Sequence, residues 1–135
     1  MNSTHWLNKI MDTMYTSNSA EFYIGLSSTA PAKDGTGVTE PTGGNYARVK
    51  VPAFTTPNNG MVKNTSALEF PRGTAVWFES TAKATYWVLF DGAGTGAKVL
   101  SSGNLDEAKT IESNTVITIA AETLSITLTD YSPSA

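Results

Sequence analysis

Residues able to do chemistry are sparse in this sequence. His5 is its one histidine, and there is no cysteine. Zinc and copper centres draw on several His or Cys ligands, so neither is expected here. No disulfide framework is available either. A Ser-His-Asp arrangement needs its histidine held in a cleft. His5 sits beside Trp6 in an N-terminal segment of helical spacing and reads as a solvated helix residue. The twelve Asp and Glu residues give many pairs by chance, so none marks the two carboxylates of glycoside hydrolysis. Asp34 with Glu40 matches no calcium-loop spacing. The stretch DGAGTGAK (91–98) carries Gly92, Gly94 and Gly96. A dinucleotide fingerprint would need its third glycine one residue later and then a helix. The run after Lys98 is strand-like instead, so a hairpin connection explains the glycines better. Tyr46, Tyr86 and Trp87 are candidates for a sugar-stacking surface, but aromatics on strands more commonly serve a core or an interface. The residues therefore point to no enzyme, no cofactor and no metal.

Charge supports that view. Nine Lys and Arg against twelve acidic residues leave a net charge of -3. The basic residues are scattered, with only Arg48 and Lys50 close together, so the dense stripe that nucleic acid requires is missing. No apolar run approaches the roughly 18 residues of a membrane helix. The start MNSTHWLNKI has no basic region followed by a continuous apolar one, so standard secretion is not expected.

The elements that must position these residues are short. In the first 15 residues Trp6, Leu7, Ile10, Met11 and Met14 fall at helical spacing, with Asn2 to Thr4 able to cap the start. This predicts one amphipathic helix, whose stripe either covers one end of the core or docks on a partner. Residues 21–27, EFYIGLS, alternate as a half-buried strand with Phe22, Ile24 and Leu26 inward, and Glu21, Tyr23, Gly25 and Ser27 outward. A long loop, 28–44, comes next, of the kind that often makes contacts. NYARVKVP (45–52) alternates again, and TTPNNG (55–60) is a turn. Further strands are expected over 67–70, 75–78, 85–91, 99–103, 110–111, 115–119 and 123–129. The 85–91 strand is apolar on both faces and so should be the most central. It should form a hairpin-like pair with 99–103. A tight turn at 120–122 should join antiparallel neighbours, and 130–135 reads as a loose tail. About eight short strands and one helix predict a mainly β chain: a single antiparallel β-sandwich domain over 1–135, immunoglobulin-like or jelly-roll.

The order of these segments carries a resemblance. YIGLSSTAP, DGTGVTEPTGGNYARV and the aromatic strand ending in Phe90–Asp91, followed by KVLSSGNL and TLSITL, resemble a family of small tailed-bacteriophage virion proteins, commonly labelled tail-fibre or minor structural proteins. The resemblance covers about residues 4 to 129. The family often has a Trp-Gly pair before the central strand, whereas here Trp77 is followed by Phe78. The resemblance implies a non-enzymatic structural role in the virion. The protein would be made in the host cytoplasm and would assemble with other virion proteins and with copies of itself. Two rival roles are a decoration protein of the head shell and a carbohydrate-binding module for the host surface. The expected docking residues are Trp6, Leu7, Ile10, Met11 and Met14 on the helix, with Tyr46 and Arg48 near the 28–44 loop. If the helix is a docking element, deleting residues 1–15 should leave a folded domain.

Overall fold

A computed structural model describes residues 3–17, 21–78 and 82–128. The chain is mainly β and antiparallel, with one N-terminal helix, α1 (Thr4–Met11). Eight strands follow: β1 (Phe22–Ser27), β2 (Val49–Val51), β3 (Met61–Lys63), β4 (Leu68–Glu69), β5 (Ala84–Phe90), β6 (Val99–Lys109), β7 (Thr118–Ile119) and β8 (Ser125–Thr127). This set is compatible with the expected sandwich. The residues group into two compact units, one of 1–20, 52–67 and 119–135, the other of 21–51 and 68–118.

The first unit is built around the helix. Ser3 caps α1, its hydroxyl accepting from the Trp6 backbone N–H at 3.2 Å. The expected helix ran through to about residue 15, but at Asp12–Thr16 it widens into a π-turn, closed by Ser17 N–H to the Asp12 carbonyl at 2.7 Å. A wider turn needs one more residue to return to the same face. Leu7, Met11 and Tyr15 therefore form the inward ridge, and Met14 falls outside it. Met11 and Tyr15 are buried, and the Tyr15 ring meets Phe54 edge-on at 5.3 Å.

Beyond the helix, residues 55–60 turn as expected. Asn59 and Gly60 both have positive φ, and Asn58 and Met61 exchange two backbone hydrogen bonds across them. This is the type I′ arrangement that Asn-Gly favours. It leads into β3, a strand the sequence pattern does not signal, which pairs antiparallel with β8.

The expected hairpin across 120–122 is corrected by that pairing. The turn exists, with Thr123 N–H bonded to the Ala120 carbonyl, but β7 and β8 are not neighbours. Asn64 explains why. It is fully buried, its amide donates to the carbonyls of Ser66 and Ala120, and its amide oxygen accepts from Leu124 N–H. One side chain thus takes groups at both ends of the turn that a hairpin would have paired with each other.

The second unit holds a four-stranded antiparallel sheet in the order β2-β1-β5-β6. β5 lies in its interior with Trp87, Val88, Leu89 and Phe90 buried, so the two-faced apolar pattern is a sound sign of a central strand. The pair with β6 is present and longer than expected, reaching Lys109, with irregular register after Ala84 and after Leu89. Trp87 faces Gly103, where a Cβ would stand 2.6 Å from the indole, so the ring lies flat across the neighbouring strand.

Other expectations here are revised. β1 is buried on both faces, since Gly25 and Ser27 lie covered rather than outward. Residues 75–78 form no strand. Trp77 instead bonds two separate segments, its backbone N–H reaching the Ile111 carbonyl and its indole N–H the Gly44 carbonyl at 2.7 Å. Residues 110–111 are not a strand either, and 45–52 shortens to Val49–Val51. The short β7 and β8 stand where 115–119 and 123–129 were expected. The tail, 130–135, lies outside the described residues.

Candidate functional site

The densest polar constellation sits on the second unit, on the face of β1 and β5 carrying Tyr23, Gly25, Ser27, Val88 and Phe90. The register sets Gly25 opposite Val88 and Tyr23 opposite Phe90, which puts these side-chain positions on one face. The 28–44 loop folds back over it. Its root is tied by Ser28 N–H to the Thr39 carbonyl at 3.1 Å. The buried Ser27 hydroxyl donates to the Thr29 carbonyl and accepts from Thr39 N–H. At the tip Asp34 accepts from the backbone and hydroxyl of Thr36, which hold its carboxyl below the usual range. Lys33 and Asp34 are exposed.

Glu40, Tyr46 and Arg48 close the structure. The Tyr46 hydroxyl donates to Glu40 Oε2 at 2.5 Å and accepts from Leu26 N–H at 3.1 Å. Arg48 grips both carboxylate oxygens, Nε to Oε2 at 3.0 Å and Nη2 to Oε1 at 2.6 Å. Its Nη1 donates to the carbonyls of Gly92 and Gly94 at 3.1 and 2.8 Å. The guanidinium lies 3.5 Å from the centre of the Phe90 ring. The Tyr46 ring stacks near Phe70 and meets Trp77 edge-on at 5.1 Å. Arg48 is the right residue for this place, because its planar fork can bind a carboxylate with two bonds and still reach carbonyls beside it. Gly25 is required beneath it: a Cβ there would stand 2.6 Å from the Tyr46 oxygen and 2.9 Å from Glu40 Oε2.

This arrangement holds structure and is poorly suited to moving protons. Burial first, and then the hydrogen bond to Glu40, push the Tyr46 phenol well above the ordinary tyrosine range. The bond to Glu40 likewise raises Arg48, which stays charged. A general acid or base needs a pKa near the working pH, and neither group has one. The glycine-rich 91–98 connection behaves as a turn, with Lys98 N–H held by the Asp91 carboxylate at 2.7 Å. It offers carbonyls to Arg48, whereas a phosphate cradle would offer N–H groups. A shallow hollow of about 330 Å³ lies beside the cluster, lined by Pro41, Ala47, Ala93 and Thr95 as well.

Of the other residues singled out from sequence, the structure brings Tyr46 and Arg48 together, while Trp6, Leu7, Ile10, Met11 and Met14 belong to the first unit. Met11 is interior and presents no surface, and Leu7 packs its Cβ against Gly60. Trp6 is 50% exposed and Met14 45%, with Ile10 half-buried beside them. Removing residues 1–15 would therefore strip Met11 and Tyr15 from a core, so the expected tolerance to truncation is corrected. His5 is exposed, Tyr86 half-buried and Trp87 buried. Sequence reasoning misses Glu40 as the partner of Arg48, and it misses Asn64. Glu40 stands eight residues away across a loop, where no period links the two. Among the described residues, no three His, Asp or Glu side chains gather as a metal site would require. None of the described helices is long and apolar enough to cross a membrane.

Two comparisons bear on identity. No curated protein matches the chain. The family model described as podophage GP4 fiber I protein gp80 matches residues 1–127, nearly the whole length, and the chain belongs to that family of phage fibre proteins.

Proposed function

We propose that this protein is a non-enzymatic building block of a podophage tail fibre, joined to its neighbours through the exposed ridge of the N-terminal helix. The observation that carries the reading is Trp6, half exposed on a helix whose adjoining ridge is buried. Large aromatics of this kind are the usual anchors of protein interfaces. Ile10 lies one turn further along, and Met14 comes after it. Tyr46 and Arg48 take part by holding the 28–44 loop in one shape, since most of their hydrogen-bonding capacity is already used within the unit. The tip around Lys33 and Asp34 is the part of that loop available to a partner, either another virion protein or a second copy.

A head-decoration role is the rival within the same class, and copy number separates the two. Quantitative mass spectrometry of purified particles should give a few to a few tens of copies, far below the major capsid protein. A ratio near one or a simple fraction of it would place the chain on the shell and overturn the fibre reading.

A further inference from the structure

The first unit carries a second hollow, of about 370 Å³, lined by Thr55, Thr56, Asn58, Asn59, Met61, Lys63 and Glu122. Its size falls at the small end of ligand sites, roughly 300–1,000 Å³. From these side chains and the two turns that present them, we infer that it binds a neutral glycan terminus.

Two rigid turns present the lining. On one side Asn59 sits in the type I′ turn, at φ 53°, with Gly60 behind it anchored by its N–H to the Asn8 side chain at 2.7 Å. On the other side Glu122 is held at φ 62°, a conformation glutamate seldom adopts. Its N–H is fixed to the Asn64 carbonyl at 2.8 Å, and the Asn64 side chain pins both ends of the turn. Strain retained at an exposed polar residue is a sign of use elsewhere in proteins.

The second feature is unspent hydrogen-bonding capacity. Thr55 uses its hydroxyl on Lys63 N–H. Among the described residues, the side chains of Thr56, Asn58, Asn59, Lys63 and Glu122 make no hydrogen bond or ion pair within the chain. The contrast with Glu40 and Arg48, whose polar atoms are engaged, is plain.

The mixture selects the ligand class. Amide groups and an ammonium donate, while a carboxylate and amide oxygens accept. One positive and one negative side chain leave no net charge. A phosphate could satisfy Lys63 but has nothing to give Glu122. A cationic ligand would suit Glu122 and be opposed by Lys63. Hydroxyl groups both donate and accept, so adjacent sugar hydroxyls can satisfy both sides. Half-buried Met61 supplies an apolar patch for the C–H face. The hollow is open and lacks an aromatic platform, so affinity for one sugar is weak and gains by repetition along a fibre. This binding does not depend on the attachment proposed above, because a chain excluded from particles would still bind sugar.

The test is an ¹⁵N NMR titration of the full chain with the methyl glycosides of glucose, galactose, mannose and N-acetylglucosamine. At least one should move the amide signals of Asn58, Asn59, Lys63 and Glu122. The double variant N59G/E122G removes two ligand-facing side chains at positions whose φ suits glycine, so the fold is kept. Its melting temperature should match the parent's while affinity falls about tenfold or more, as expected for losing a charged hydrogen bond. Absence of shifts for all four glycosides up to their solubility, shifts confined to other residues, or unchanged binding by the folded double variant would each overturn the inference.

Discussion

The two units use polar side chains in different ways. In the second, Arg48, Glu40 and Tyr46 are spent on one another, on the carbonyls of Gly92 and Gly94, and on Leu26 N–H. In the first, a single buried amide, Asn64, does the organising, and five polar side chains around the hollow have no partner among the described residues. The difference separates polar groups that shape the chain from those available to something outside it. The densest polar cluster is therefore a clasp, and the looser one is the better binding candidate.

The comparison can be broken most sharply at Asn64. Asn64→Ala should cost about 4 kcal/mol in urea unfolding, because buried donors and acceptors lose their partners and each unsatisfied group costs about 1–3 kcal/mol. A loss under about 1 kcal/mol would mean that the 120–124 turn does not rest on this residue. Arg48→Ala comes next, at about 3 kcal/mol. It leaves the Glu40 carboxylate, 20% exposed, without its countercharge. Breaking an exposed pair such as Lys50–Glu21, at 3.1 Å, should in contrast change little. Gly25→Ala should cost about 2 kcal/mol, the scale of overpacking, as its methyl would drive into the Tyr46 hydroxyl.

A smaller effect is set by pH. Tyr46 is held above its ordinary range in the fold, so the folded state keeps a proton that the unfolded chain releases. This contribution is complete below the ordinary tyrosine pKa of about 10 and is lost as pH climbs from there toward the folded value. In alkaline titrations of stability, Tyr46→Phe should flatten the decline above about pH 10. An unchanged slope would show that the phenol does not matter to alkaline unfolding.

Much of this is legible in the sequence, and the failures have physical causes. The central position of 84–90, its pairing with 99 onward, the Asn59–Gly60 turn and the capped helix all come from local periods and turn chemistry. The π-turn is not visible, because the α-helical period places Met14 inward as readily as Tyr15. β1 has the pattern of a half-buried strand because Gly25 and Ser27 are small and polar. They are covered because only a glycine there lets Tyr46 and Glu40 lie against the sheet. The clasp itself is half legible: Tyr46 and Arg48 stand out by type, whereas Glu40 stands out only as a calcium ligand, and its spacing rejects that role. Asn64 gives no signal, since its partners at Ala120 and Leu124 lie more than 50 residues along the chain.

The fibre role rests on the exposed helix ridge, and its most direct test is incorporation into particles. Phage encoding Trp6→Ser with Ile10→Ser should make a chain that melts within a few degrees of the parent, since both changes leave the buried Met11 and Tyr15 in place. Quantitative mass spectrometry of purified particles should then find that chain missing or strongly depleted. Recovery of the folded variant at the parental copy number would contradict attachment through the helix.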